Sequence, residues 1–128
     1  MKIQDIFTEW DRDCKIDPIQ LDTESLKISE LHNKYYKIYI SERVQIKKLK
    51  SELLALRHEK HEFYTMGPTE DTKSKGWILP PRGKILKNEV DTYLNSDPDI
   101  VKLALSVGVQ EEKIELLKSI LETISKRT

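Results

Sequence analysis

One heptad repeat, which starts at residue 21 and ends before Gly67, constrains the fold of this chain more than any other feature. Its first column contains Leu21, Ile28, Tyr35, Glu42, Leu49, Leu56 and Phe63. Its second column, four residues later, contains Ser25, His32, Tyr39, Ile46, Leu53 and Lys60. Because most of the central members are apolar, the repeat predicts one continuous amphipathic helix with a side that needs a partner.

The predicted helix is long for a chain of this size. Pro18 is the only glycine or proline before Gly67, so nothing in between interrupts helical structure. A helix from residue 18 to residue 64 would be about 70 Å long, whereas a compact domain of this length has a radius of gyration of about 14 Å. We therefore expect an elongated chain whose long helix is covered by other subunits or projects as an arm.

The composition argues against several classes of protein. Apolar residues make up 38% of the chain and charged residues 34%, which suits slender helical layers. No apolar run approaches the ~20 residues that span a bilayer, and the first residues lack the apolar segment of a secretory signal. Cys14 is the only cysteine, so no internal disulfide is possible, as is usual in a reducing cytoplasm.

The net charge of zero conceals three regions of different sign. Residues 1–30 carry a net charge of −4, residues 31–87 carry +7, and residues 88–128 carry −3. A neutral total disfavours a protein that coats polyanions along its whole surface. The basic middle can still bind phosphate groups locally.

The N-terminal sequence contains two helix signals. The apolar spacing in residues 2–13 predicts a short amphipathic helix. Asp17 and Pro18 are typical of the start of the next helix, because Asp can cap free amides and Pro is tolerated in the first turn. Asp22 or Thr23 is an alternative start, and we expect this long helix to end at residue 64 or 65.

The C-terminal sequence predicts shorter helices. Prolines and glycines predict a loop without regular structure over residues 68–83. A modest helix should cover about residues 84–94, and Asp97 should cap the next one. Gly108 should loosen the chain before a final amphipathic helix at residues 110–126.

The fold class predicted from these elements is all-α. It consists of a short N-terminal helix, one very long amphipathic helix, a loop and a small C-terminal helical region. Residues 100–107 are apolar almost all round, so we expect them to be buried. We divide the chain into residues 1–67 with the long basic helix, a loop at 68–83, and a helical region at 84–128.

No catalytic, metal or cofactor site is recognisable. His58 and His61 are three residues apart, whereas the zinc-protease motif needs a spacing of four. The segment from Gly76 to Lys84 has the wrong glycine spacing for a phosphate loop and is followed by Ile85, not a hydroxyl residue. We therefore expect neither an enzyme nor a cofactor.

Two basic stretches are candidates for a nucleic-acid surface. On the long helix the cations are Arg43, Lys47, Lys48, Lys50, Arg57 and Lys60, and two aromatic residues end the helix. Around the loop they are Lys73, Lys75, Arg82, Lys84 and Lys87, and Trp77 lies among them. Cations neutralise phosphates and aromatic rings stack on bases, a combination that binds single strands with little sequence preference. The alternative is that the charges solvate a helix and the aromatic residues belong to a core.

The end of the long helix, Leu-Arg-His-Glu-Lys-His-Glu-Phe-Tyr-Thr-Met-Gly, resembles a family motif. It is similar to the Leu-Lys-Ala-Arg-Leu-Asp-Tyr-Tyr-Ser-Gly-like motif of the UvsY recombination mediators of tailed phages. The family's lysine falls on His58 and its arginine on Lys60, while Phe63 and Tyr64 take the aromatic places. His58 departs from the pattern, Arg57 can supply the missing charge, and Met66 adds one residue before the glycine. The resemblance extends to the opening helix, to residues 93–101 and to residues 120–127.

This resemblance implies a non-enzymatic loader in the cytoplasm of an infected bacterial host. Such proteins bind single-stranded DNA coated by the phage single-strand-binding protein and help a RecA-like recombinase to start its filament. They act as ring-like homo-oligomers assembled through the C-terminal region, with no membrane role. The alternative function is a coiled-coil scaffold or adaptor without a DNA role.

Candidate residues follow from the charge pattern and the resemblance together. The predicted DNA-binding residues are Lys47, Lys48, Lys50, Arg57, His58, Lys60, Phe63, Tyr64, Lys73, Lys75, Trp77, Arg82, Lys84 and Lys87. We expect Arg57 and Lys60 to lie on an exposed helix face. The predicted oligomerisation residues are Ile114, Leu117, Ile120, Leu121 and Ile124. The alternative for this second set is that it packs on the long helix within one subunit.

Overall fold

The computed structural model describes residues 1–15, 21–80 and 85–127, without the side chains of residues 21–25. The described residues form five helices and no strand, which confirms the all-α prediction. The helices are α1 (Ile3–Asp13), α2 (Leu21–Met66), α3 (Glu70–Ser74), α4 (Val90–Ser96) and α5 (Pro98–Ser125). The start signals at Asp17 and Pro18 lie outside the described residues.

The long helix predicted from the heptad repeat is α2, with 46 residues. It ends at Gly67, whose φ of +95° is a left-handed conformation that glycine adopts without a steric penalty. The Gly67 amide donates to the Phe63 carbonyl at 3.0 Å and so satisfies one of the free carbonyls at the helix end.

Three predictions about the C-terminal half were wrong. The loop contains α3, which is capped because the Thr69 hydroxyl accepts from the Thr72 amide at 3.3 Å. Gly108 does not interrupt α5, since one helical glycine costs only about 0.5–1 kcal/mol and its neighbour Val107 is buried. The segment 100–107 is not buried all round, because Leu105 is 65% exposed.

Two compact units make up the described chain, and α2 and α5 each contribute residues to both. The first unit contains residues 1–46 and 109–128. Its core is mainly aliphatic and consists of Ile6, Leu31, Tyr35, Leu117, Ile120 and Ile124. Each such side chain stabilises the fold by roughly 1.5–3 kcal/mol when it is fully buried.

The second unit contains residues 47–108. Its core is richer in aromatic residues and consists of Phe63, Tyr64, Ile85, Val90, Leu94 and Ile100. The Ile85 amide donates to the Tyr64 carbonyl at 3.0 Å, which ties the chain after the loop to the end of α2. Our functional division into residues 1–67, 68–83 and 84–128 stays a prediction.

The buried side of α2 is covered by the same chain in each unit. In the first unit Leu31, Tyr35 and Glu42 are buried, while His32 of the predicted second column is exposed. In the second unit Lys60, from that second column, is buried as the repeat indicates. These members of the apolar stripe are therefore buried by residues of the same chain within each unit.

Candidate nucleic-acid interface

A group of exposed cations of the second unit lies on α2. Lys47, Lys48 and Lys50 fall within one helical turn, and all three are exposed. Lys47 and Lys50 are three residues apart and therefore lie on the same side of the helix, whereas Lys48 points in another direction. This concentration of positive charge is the type of site that binds phosphates along a nucleic-acid strand.

Arg57 and His58 extend this basic surface toward the end of α2. Arg57 is half-buried, and its Nη1 donates to Oδ1 of Asn95 at 3.3 Å. His58 is exposed, with Nε2 3.2 Å from Oε1 of Glu62. Asn95 thus orients the guanidinium of Arg57 at the surface of the second unit.

Lys60 occupies a different environment from the one we expected. It is 4% exposed, and its Nζ lies 2.9 Å from Oδ2 of Asp99 and 3.2 Å from Oδ2 of Asp97. The prediction of an exposed Lys60 was wrong, because this lysine stands in a core column of the heptad repeat. Its ammonium group neutralises buried carboxylate charge in the folded chain.

Asp97 is the centre of this buried network, which sequence reasoning recognised only as a helix cap. Its Oδ1 accepts from the amides of Asp99 and Ile100 at 3.0 and 3.2 Å, which confirms the cap of α5. Its Oδ2 accepts from the Tyr64 hydroxyl at 2.5 Å. Burial alone would raise the pKa of Asp97, but the hydrogen bonds from Tyr64, Ile100 and Lys60 outweigh it and lower the pKa.

The aromatic residues at the end of α2 belong to the core. Phe63 is 2% and Tyr64 8% exposed. Trp77 is half-buried, with its ring edge-on to Phe63 at 5.6 Å between centroids. The Nζ of Lys60 lies 4.0 Å and that of Lys75 lies 4.9 Å from the Trp77 ring centroid. These rings stabilise the fold, as the alternative interpretation stated.

The remaining cations of the loop region are distributed along the chain. Lys73 and Lys87 are exposed. Lys75 lies 3.1 Å from Glu59 and 3.7 Å from Asp71, and the hydrogen bond to Glu59 raises its pKa. Arg82 and Lys84 lie outside the described residues. Lys75 is therefore held beside α2 by its contact with Glu59.

The apolar stripe of α5 lies in the core of the first unit. Ile114, Leu117, Ile120 and Ile124 are at most 9% exposed, and Leu121 is half-buried beside them. This arrangement agrees with the alternative that the stripe packs on the long helix within one subunit, because α1 and α2 cover it there. The role of these residues in oligomerisation stays a prediction.

The first unit holds a second buried polar network that the sequence signalled only indirectly. Glu42 occupies a core column of the repeat and is 6% exposed. The amide nitrogen of Gln110 donates to the Glu42 carbonyl at 2.9 Å, and Nζ of Lys113 lies 3.5 Å from the Glu42 carboxylate. Burial opposes the charge, but Gln110 and Lys113 lower the pKa of Glu42.

Two features are absent from the described residues. No group of three or more His, Cys, Asp or Glu side chains is arranged to hold a metal ion. Within the same part of the chain, no helix is both long and apolar enough to cross a membrane.

Comparisons with known proteins agree on one family. Residues 9–128 match the family model described as recombination, repair and ssDNA binding protein UvsY. The fold is similar to two crystal structures of the bacteriophage T4 recombination mediator protein UvsY. Lattice type II has a TM-score of 0.80 at 20% identity, and type IV 0.79 at 18%. Each alignment covers 99% of this chain and 88% of the other chain. No curated protein sequence matches.

Because the family model covers nearly the whole chain, this protein belongs to the UvsY family of recombination, repair and single-stranded-DNA-binding proteins.

Proposed function

We propose that this protein is a non-catalytic recombination mediator. It binds single-stranded DNA and helps a RecA-like phage recombinase to load onto strands coated by the phage single-strand-binding protein. It acts as a ring-like homo-oligomer in the cytoplasm of the infected host. Membership of the UvsY family supports this function, and the exposed lysine group on α2 is the observation that carries the DNA-binding step.

The residues that we propose as DNA contacts are only part of the set predicted from the sequence. The exposed or half-buried basic residues Lys47, Lys48, Lys50, Arg57 and His58 are the primary contacts, with Lys73 and Lys87 secondary. Lys60 holds its charge against Asp97 and Asp99, so we assign it a structural role. Reversing the charge of Lys60 would disturb the core of the second unit as well as any DNA contact.

A titration of labelled oligo-dT followed by fluorescence anisotropy tests the DNA-binding step. If one subunit contacts about three phosphates, log K should fall with log salt with a slope of about −2. Lys47→Glu with Lys48→Glu should weaken binding strongly. The matched control is Lys102→Glu with Lys118→Glu, which changes the net charge equally at exposed sites on α5. Equal losses in both double variants would refute the α2 site, and no affinity at low salt would favour the scaffold alternative.

Order-of-addition experiments test the loading step. The single-strand-binding protein is added first, and strand-dependent ATP hydrolysis by the recombinase is followed with and without this protein. A mediator shortens the lag on coated strands and has little effect on bare strands. An unchanged lag in a preparation that still binds DNA would reject loading without rejecting DNA binding.

Light scattering tests assembly. A mass that is a multiple of 15.0 kDa at micromolar concentration is the expected result. Linked weak sites would then raise the affinity for long strands over that for short ones. A monomeric mass would contradict the ring.

A further inference from the structure

A groove of about 770 Å³ lies on the second unit, between the three turns of α2 from Ser51 to His61 and the helix α4. We call it the α2–α4 groove. Its apolar lining comes from Leu54, Ala55 and Leu94, and its polar lining includes Arg57, His58 and His61. The volume falls within the range of binding clefts, about 300–1,000 Å³.

Leu54 is the feature of this groove that the fold does not explain. Its side chain is 73% exposed although it lies in a concave part of the surface. Leu94, beside it, is 3% exposed and belongs to the core of the second unit. An exposed leucine that continues a buried apolar floor offers a contact site for apolar side chains of another molecule.

The charge of the groove selects the chemistry of its occupant. Among the described residues that line it, Asp91 is the only acid, and Arg57 balances its charge. One and two helical turns before Leu54, the exposed Lys50 and Lys47 lie on the same side of α2. An acidic partner is therefore favoured over a basic or neutral one.

The lining also distinguishes a protein from a nucleic acid. Proteins that bind single-stranded DNA without sequence preference combine phosphate contacts with stacking of bases on aromatic rings, and among the described residues no aromatic side chain lines this groove. In the second unit, the rings of Phe63 and Tyr64 are buried, and the ammonium groups of two lysines lie over the ring of Trp77. Leucine and alanine between two helices are typical of grooves that bind the apolar face of an amphipathic helix.

We propose that the α2–α4 groove binds an acidic amphipathic helix of a protein partner. Leucines at helical spacing on that helix contact Leu54, Ala55 and Leu94, and its flanking carboxylates face Arg57 and His58. The distance along α2 from Ser51 to His61 is about 15 Å, which accommodates about three turns of the bound helix. This binding needs no DNA, and it goes beyond the proposed function.

One consequence is competition between the two ligands. Arg57 and His58 are in the groove lining and are also proposed contacts of single-stranded DNA. One side chain cannot serve both partners at full strength, so the acidic helix and DNA should displace each other. Such an exchange gives a partner protein a means to release the strand, or to be released by it.

A designed peptide tests the proposal on the full chain. The peptide has about 18 residues, above the ~12–15 at which isolated helices become stable, with leucines on one face and glutamates beside them. A scrambled peptide of the same composition keeps the charge but removes the apolar face. Anisotropy should show that the amphipathic peptide binds at least about tenfold more tightly than the scrambled one.

Substitutions then locate the site. Leu54→Ser should weaken peptide binding by about tenfold, whereas Leu86→Ser, at a comparably exposed leucine outside the groove, should have little effect. The same variants are titrated with oligo-dT in parallel. Equal binding of both peptides, or an unchanged affinity of Leu54→Ser for the peptide, would overturn the proposal. A loss of DNA affinity without peptide binding would assign the groove to nucleic acid instead.

Discussion

The two units use the same combination of side chains in two different environments. In the first unit, Tyr35 donates to Oδ2 of Asp13 at 2.9 Å, and Nζ of Lys34 lies 2.6 Å from the same oxygen. In the second unit, Tyr64 and Lys60 contact Oδ2 of Asp97 in the same way. The lysine side chain is 37% exposed in the first unit but 5% exposed in the second.

This difference in exposure decides what each ion pair contributes. Water solvates Lys34 and screens its charge, so the pair at Asp13 contributes little beyond orienting α1. Lys60 is removed from water, and its charge is balanced only by the carboxylates beside it. The loss of one partner there leaves an uncompensated buried charge, which is strongly destabilising.

The largest effect is expected for Lys60→Met. We expect a loss of about 3–5 kcal/mol in the free energy of unfolding, because the Asp97 carboxylate stays buried without its cation. Urea denaturation followed by circular dichroism measures it. Asp99→Ala is the control, since that carboxylate is 57% exposed and should contribute less than about 1 kcal/mol.

A double variant checks the cause of that loss. Asp97→Asn in the Lys60→Met background removes the buried charge and retains an amide that can cap α5. It should recover part of the lost stability. No recovery would mean that Lys60 contributes through packing on Trp77 and not through its charge.

The next effect concerns the aliphatic core of the first unit. Leu117→Ala should cost about 2–5 kcal/mol, because the side chain is fully buried in the unit. Leu121→Ala, at a half-buried position on the same helix, should cost less. If the Leu117 variant instead kept its stability and reduced the molar mass in solution, the stripe would be a subunit contact.

A pH titration separates the two aspartates. The pKa values of Asp13 and Asp97 are both lowered by their hydrogen bonds, despite the opposing effect of burial. The unfolded chain therefore binds more protons near pH 4, and stability should fall as the pH falls below about 4. The stability difference between the parent chain and Asp97→Asn should shrink in that range, and Asp13→Asn should show a smaller change. A pH-independent difference would contradict the role of the charge.

At alkaline pH the contribution of Tyr64 to stability changes in the opposite direction, because it is lost as the pH rises. Burial, followed by the hydrogen bond to Asp97, raises the pKa of Tyr64 above its ordinary value of 10.0. The neutral phenol makes its full contribution to the free energy of unfolding below its ordinary pKa, and this contribution is lost as the pH rises through the folded-state pKa. Tyr64→Phe should therefore reduce the dependence of stability on pH above about 10.

The sequence predicted the helices well because helical periodicity is a local property. The heptad repeat placed α2, and Asp97 placed the start of α5. The second column of the repeat was wrong at His32, because in the first unit the neighbouring residue, Leu31, is the one that is buried. The sequence missed α3 because it is held mainly by the cap at Thr69 and shows no apolar period.

The site was harder to predict because charge does not reveal exposure. Lys60 and the exposed Lys47 carry the same charge, but only Lys60 lies in the repeat. Its partners Asp97 and Asp99 are far along the chain, so the ion pair is visible only in three dimensions. The position of Lys60 in a core column was the available signal, and we gave it less weight than its charge.

The smallest effect is expected for Lys34→Met, the counterpart of Lys60→Met in the first unit. Nζ of Lys34 lies 2.6 Å from Asp13 and 2.7 Å from Glu9, which is as close as the pair in the second unit. Distance alone would therefore predict equal losses. Because this lysine is partly exposed, water can solvate the Asp13 carboxylate in the variant. We therefore expect a loss of only about 0.2–1 kcal/mol in the free energy of unfolding, measured by urea denaturation. A loss as large as that of Lys60→Met would show that proximity, and not exposure, governs both pairs.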